Sequence, residues 1–199
     1  MKLLYFSIII LFFTSCTSSD SKKIPSLENN ISAHKRDSFF PVTSFLKGQI
    51  NQFDSLPSTP LHTITVNGKT DSVWIKREQL AILLESFLSP TINETNLVAY
   101  FKETSFNDLT LNTLTLTYDA IQTLPDSLHL THWDVYINPE TGKIRKIYMV
   151  KQLKINDDFV TEQLTWQTNK SATITTLINK GGNKTELLKV DKFIWNFSE

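Results

Sequence analysis

From Leu111 to the C-terminus the chain reads as one strand after another, and this pattern limits its fold more than any other feature. Leu111–Ile121 carries Leu114, Leu116 and Tyr118 with threonines between them. That is the alternation of a strand with one buried face. The segments Leu128–Ile137, Lys143–Ile155, Phe159–Gln167, Ser171–Asn179 and Thr185–Phe197 follow. The links between these five are Asn138-Pro139-Glu140-Thr141-Gly142, Asn156-Asp157-Asp158, Thr168-Asn169-Lys170 and Gly181-Gly182-Asn183. Each is rich in residues that supply turns. Links this short leave no room for crossover helices, so the prediction is an antiparallel meander.

The segment before the meander supplies helices to pack on it. Val42, Phe45, Leu46, Ile50 and Phe53 recur at helical spacing. Pro41 suits a first turn, and Leu56-Pro57 closes the element. Residues 62–75 read as a hairpin, with strands flanking Asn67-Gly68, a pair that tolerates positive φ angles. Leu80, Leu83, Leu84, Phe87 and Leu88 form the apolar stripe of a second helix, ended by Pro90. Residues 91–108 fit either a short helix from Asn93 carrying Leu97, Val98 and Phe101, or an edge strand. The reading favours the helix, followed by an irregular link through Phe106 and Asp108. The expected class is α+β: an antiparallel meander of about six to eight strands packed by two or three helices, with a half-barrel as one form.

The N-terminus sets the compartment. Lys2 precedes the apolar run Leu3–Phe13, and Thr14-Ser15-Cys16 follows. This is the pattern of a secretory signal peptide, and the run is too short to span a bilayer. Cys16 is the single cysteine, so no intrachain disulfide is expected. Phe13-Thr14-Ser15-Cys16 resembles the lipobox of bacterial lipoproteins. The resemblance implies removal of residues 1–15, lipidation (including a palmitate-type acyl chain) at Cys16, and a membrane anchor. Residues 16–38, polar and without periodicity, are expected to be a disordered tether, and 39–199 a single domain. Residue 17 is not aspartate, and Lys22-Lys23 with Asp20 is a poor match to acidic surface-export tags. By those family rules the anchor is in the outer membrane, facing the periplasm. The stretch from Phe39 to Trp166 resembles uncharacterised lipoproteins of Bacteroidota. Its landmarks are Phe40-Pro41-Val42, Lys102-Glu103-Thr104-Ser105-Phe106 and His132-Trp133-Asp134-Val135-Tyr136. That family implies no activity. Asp54-Ser55-Leu56, Asp71-Ser72-Val73 and Asp126-Ser127-Leu128 are similar to the O-glycosylation signal of the same group. Chance or turn chemistry is the favoured account of Ser beside Asp.

Charge and motifs narrow the function. Lys+Arg and Asp+Glu number 20 each, and this balance gives no basic surplus for nucleic acid. No nucleophile elbow, phosphate loop or paired-histidine helix motif occurs, so catalysis has little support. His129 and His132 sit three apart on a predicted strand and point to opposite faces, so no metal or other cofactor is expected.

Two candidate surfaces remain. Keeping Trp133, Val135 and Ile137 on one face with Ile147 and Met149 pairs Asp134 with Lys146 and His132 with Tyr148. The opposite face then carries His132, Asp134, Tyr136, Lys146 and Tyr148, a candidate ligand or partner face. Cross-strand pairing alone also explains such residues. On the last strand, Leu187, Phe193, Trp195 and Phe197 are read on one face, with Leu188, Val190 and Ile194 on the other. Both faces then need cover. If a helix covers one only partly, Phe87, Phe193 and Trp195 would line an apolar groove. The expected function is a membrane-anchored binding or scaffold module engaging an envelope protein or polymer. The alternative is a lipid or lipoprotein carrier, as in the outer-membrane lipoprotein receptor family.

Overall fold

The computed structural model describes residues 38–55, 58–181 and 184–198. The expected signal peptide, Cys16 and the expected tether up to Asp37 lie outside the described residues, as do Leu56-Pro57, Gly182-Asn183 and Glu199. The described elements are α1 (Val42–Asn51), β1 (Leu61–Val66), β2 (Lys69–Trp74), α2 (Arg77–Leu83), β3 (Phe101–Asp108), β4 (Thr113–Ala120), β5 (Leu130–Ile137), β6 (Ile144–Ile155), β7 (Asp158–Gln167), β8 (Ser171–Lys180) and β9 (Lys184–Ile194). Short 3₁₀ turns at Phe53–Ser55 and Glu85–Leu88 extend the two helices. No described helix is long and apolar enough to cross a membrane.

All nine strands form one antiparallel sheet in the order β2-β1-β9-β8-β7-β6-β5-β4-β3. The meander runs from β3 to β9, and the hairpin β1–β2 joins it beside β9. Asn67 (φ 51°) and Gly68 (φ 74°) both adopt the left-handed geometry that a two-residue hairpin turn requires.

Nine strands exceed the expected six to eight, and the extra one corrects the reading of residues 91–108. Phe101–Asp108 is edge strand β3, not a helix with an irregular tail, and it pairs with β4 along its whole length. Most of its side chains are exposed. An edge strand with one neighbour and a solvated face needs little apolar alternation, so its sequence carries little strand signal.

One face of the sheet holds the core. Leu116, Tyr118, Trp133, Val135, Ile147, Met149, Leu164, Trp166, Ala172 and Phe193 occupy facing positions across β4 to β9 and are buried. The helices supply Val42, Leu46, Leu80, Leu84 and Phe87 to the same cluster. Two aromatic nests anchor it. Trp133 stacks on Tyr118 at 4.6 Å and meets the edges of Phe101 and Phe39. Trp166 lies among Phe53, Phe87 and Trp195. The start of α1 is tied down by Thr43, whose hydroxyl accepts the Ile92 N–H at 2.7 Å and whose own N–H donates to the Ile92 carbonyl.

The last strand also departs from its expected pattern. A register shift between Thr176 and Leu177 places Leu187 opposite Leu177, while Phe193 stands opposite Ala172. Residues 172 and 177 lie on opposite faces of β8, so the bulge moves Leu187 off the face of Phe193. Phe193 and Trp195 are buried beneath the helical layer, whereas Leu187, Leu188 and Phe197 are exposed. Cover is therefore needed on one face only.

Candidate functional site

β4, β5 and β6 present their alternate residues on the face away from the core. Trp133 and Val135 point inward, so His132, Asp134 and Tyr136 point outward. Lys146 and Tyr148 come to the same face from β6. The five residues expected to share a surface do share one. Their register differs from the expected one: Asp134 faces Tyr148, Tyr136 faces Lys146 and His132 faces Val150. The pairing is displaced by two residues, which preserves the face. One residue of the shift lies at the loop, where Ile137 pairs with Ile144 instead of Lys143, and the second is an irregularity between Tyr136 and Ile137 that leaves Arg145 over. Asn138 closes the loop by accepting the N–H groups of Glu140 and Thr141 on its side chain.

Asp134 is the centre of the group. It lies on the uncovered face and yet is only 8 % exposed. A carboxylate this enclosed needs donors. Thr117 Oγ1 donates to Asp134 Oδ1 at 2.6 Å, and Tyr136 OH donates to Oδ2 at 3.2 Å. His132 Nε2 stands 3.2 Å from Oδ2, while His132 Nδ1 lies 2.7 Å from Asp119 Oδ1. With both ring nitrogens facing carboxylates, the protonated imidazolium satisfies both contacts, whereas the neutral ring can donate to only one. Burial works against that proton, but the hydrogen bonds and charges of Asp119 and Asp134 outweigh it and raise the His132 pKa above 6.5. Burial and the neighbouring Asp134 charge push the Tyr136 phenol up to about 12, and the same two causes raise Tyr148. Both tyrosines therefore stay neutral donors at ordinary pH. The Lys146 ammonium lies 3.7 Å from the centre of the Tyr136 ring, a cation–π contact. The Tyr148 ring meets His132 edge-on at 6.1 Å.

Asp119 and Thr117 belong to this group and were not singled out in the sequence. A signal was present: parity on the strand holding Leu114, Leu116 and Tyr118 puts Thr115, Thr117 and Asp119 on the outer face. What it lacks is the neighbour, since only the pairing of Thr117 with Asp134 and of Asp119 with His132 brings them together.

Thr117 donates to Asp134 and not to His132, so this hydroxyl is not aligned on the imidazole as a nucleophile. His129 departs from its expected place. It precedes β5 in an irregular segment and is exposed, and its carbonyl accepts the Gln152 N–H. Among the described residues no group of three or more His, Cys, Asp or Glu is arranged to hold a metal ion.

Phe87, Phe193 and Trp195 are brought together, but inside the packed core. Each is no more than 2 % exposed. Phe87 packs on Trp166, Trp195 on Phe53 and Trp166, and Phe193 on His62. The groove expected at these three residues is filled, because the 3₁₀ turns that follow α1 and α2 lay Phe53 and Phe87 directly on the sheet. A depression of about 450 Å³ at the edge of this core is lined by Gln49, Gln52, Phe53, Ser55, Asn169, Trp195 and Asn196. Ser55, Ser72 and Ser127 are all exposed, Ser72 with its N–H bound by the Asp71 carboxylate. Compared with known proteins, the chain matches no family model, no curated protein and no solved structure.

Proposed function

We propose that this protein is a lipid-anchored lipoprotein of the cell envelope, attached through Cys16 to the outer membrane and facing the periplasm, whose uncovered sheet face binds an envelope glycan polymer. The observation that supports this reading is the preorganised group around Asp134. A buried carboxylate with three donors fixes Tyr136 and His132, and Tyr148 and Lys146 complete a surface of ring faces and hydrogen-bonding groups. Rigid aromatic groups beside donors and acceptors suit a hydroxyl-rich ligand, since little side-chain entropy is lost on contact. Thr115, Thr117, Thr165 and Thr173 extend the same polar face along neighbouring strands. The filled core at Phe87, Phe193 and Trp195 favours this reading over the carrier.

Cosedimentation with purified peptidoglycan sacculi tests it. The wild-type protein should pellet with the sacculi. Tyr148→Ala should weaken retention about 2–10-fold, the equivalent of about 0.5–1.5 kcal/mol for one aromatic contact. Wild-type protein that stays in the supernatant, or variants at Tyr136 and Tyr148 that pellet equally, would overturn the glycan assignment.

A further inference from the structure

The depression at the edge of the core draws four carboxamides together from three separate parts of the chain. Gln49 and Gln52 come from the end of α1, Asn169 from the β7–β8 turn and Asn196 from the segment after β9. Phe53 and Trp195 supply an apolar wall. The volume of about 450 Å³ lies within the about 300–1,000 Å³ usual for small-molecule sites. Tertiary hydrogen bonds hold the parts in place. The Asn169 N–H donates to Gln49 Oε1 at 3.2 Å, and the Lys170 carbonyl accepts the N–H groups of Trp195 at 3.2 Å and Asn196 at 3.3 Å. Asn196 Oδ1 accepts the N–H of Ser198 at 3.0 Å and its hydroxyl at 2.9 Å. These donors fix which end of each amide is oxygen, so Gln49 and Asn196 are left with their NH₂ groups to donate. The side-chain amides of Gln52 and Asn169 are not engaged by other described residues, so each can accept as well as donate. None of the described residues lining the pocket is charged.

We infer that this pocket is a second glycan subsite, which takes the acetamido group of an N-acetylated sugar. The inference rests on the glycan reading for the class of polymer and adds the group that is recognised. An acetamido group carries an N–H donor, a carbonyl acceptor and a methyl. The carbonyl matches the NH₂ groups of Gln49 and Asn196, the N–H matches the amide oxygen of Gln52 or Asn169, and the methyl matches the rings of Phe53 and Trp195. A charged ligand would meet no opposite charge among the described lining residues, and enclosing an unpaired charge is costly. A plain hydroxyl can form the hydrogen bonds but leaves the aromatic wall without apolar cover. Position supports the same polymer for both sites. Gln167 is the cross-strand partner of Lys146, and Asn169 follows two residues later. Strand rise and spacing put Asn169 within about 10 Å of Lys146. A glycan lying across Tyr136 and Lys146 therefore reaches the pocket at the end of the sheet.

The test uses N-acetylglucosamine as the probe and the full-length chain with Cys16→Ser, so that no acyl chain contributes. Saturation-transfer-difference NMR should show transfer to the sugar, strongest at the acetyl methyl. Glucose and glucosamine, which lack the acetyl group, should show none at equal concentration. Gln52→Ala and Asn169→Gly should each weaken binding about 2–10-fold, the range for loss of one hydrogen bond. Gln52 is exposed and Asn169 has a φ of 57°, which glycine adopts freely, so both variants should keep the far-UV circular dichroism of the parent. Tyr148→Ala, on the outer face, should leave N-acetylglucosamine binding unchanged. No transfer to N-acetylglucosamine, equal transfer to glucose, pocket variants that bind like the parent, or a loss confined to Tyr148→Ala would overturn the inference. Sacculi separate it from the outer-face reading. A protein that binds the monosaccharide through Gln52 and Asn169 but stays in the supernatant with sacculi keeps the pocket and loses the outer face. One that pellets through Tyr148 but takes no N-acetylglucosamine loses the pocket alone.

Discussion

Replacing Trp133 by alanine tests the assignment of faces on which both the core and the outer site depend. Trp133 is fully buried, with Tyr118 stacked on it and the edges of Phe101 and Phe39 against it. An indole buries about 150–250 Å², and at about 25 cal/mol per Å² that is worth about 4–6 kcal/mol as an upper bound. Losing the aromatic contacts adds to the cost. One term acts in the opposite direction: the Trp133 Nε1–H is buried without an acceptor among the described residues. Removing an unsatisfied donor returns about 1–3 kcal/mol. The net expectation is a loss of about 3–5 kcal/mol, in line with large-to-small changes in packed cores. Urea unfolding followed by far-UV circular dichroism reads it as a fall in midpoint at unchanged slope. Trp74→Ala is the internal comparison, because that ring is 61 % exposed and should cost within about 0.5 kcal/mol. A Trp133→Ala loss no larger than the Trp74→Ala loss would refute the packing argument and, with it, the placement of Asp134 on the opposite face.

The His132 contacts should make stability depend on pH. The folded-state pKa is raised, so their contribution is complete below the unfolded value of about 6.5 and is lost as pH rises through the folded value. The difference in urea midpoint between wild type and His132→Asn should shrink from about pH 6 to pH 8, and a difference that grows would contradict the bridged imidazolium. Cys16→Ala should leave the protein without acyl groups and its signal peptide uncleaved, as read by intact-mass measurement of membrane fractions. Acyl chains retained on that variant would place the lipid elsewhere.

Much of the fold follows from local pattern. The meander, the β1–β2 hairpin at Asn67-Gly68 and the two helical stripes are recorded within a few residues of one another, as alternation, turn chemistry and 3.6-residue spacing. The sharing of one face by His132, Asp134, Tyr136, Lys146 and Tyr148 follows in the same way, because strand parity is local and a slip of two residues leaves it intact. Other properties required the assembled sheet. The strand character of Phe101–Asp108 comes from hydrogen bonds to β4 and not from its own side chains. The transfer of Leu187 to the other face depends on one extra residue at a bulge, and the pairing of Asp134 with Tyr148 on a bulge together with a loop one residue longer, neither of which a sequence pattern counts. The filling of the space around Phe87, Phe193 and Trp195 depends on where the 3₁₀ turns lay their rings. The clamp of His132 between Asp119 and Asp134 joins residues on neighbouring strands. Residues close along the chain interact through spacing that the sequence states directly. Residues brought together across strands interact through register, and register is decided by bulges, turns and packing acting on the whole sheet at once.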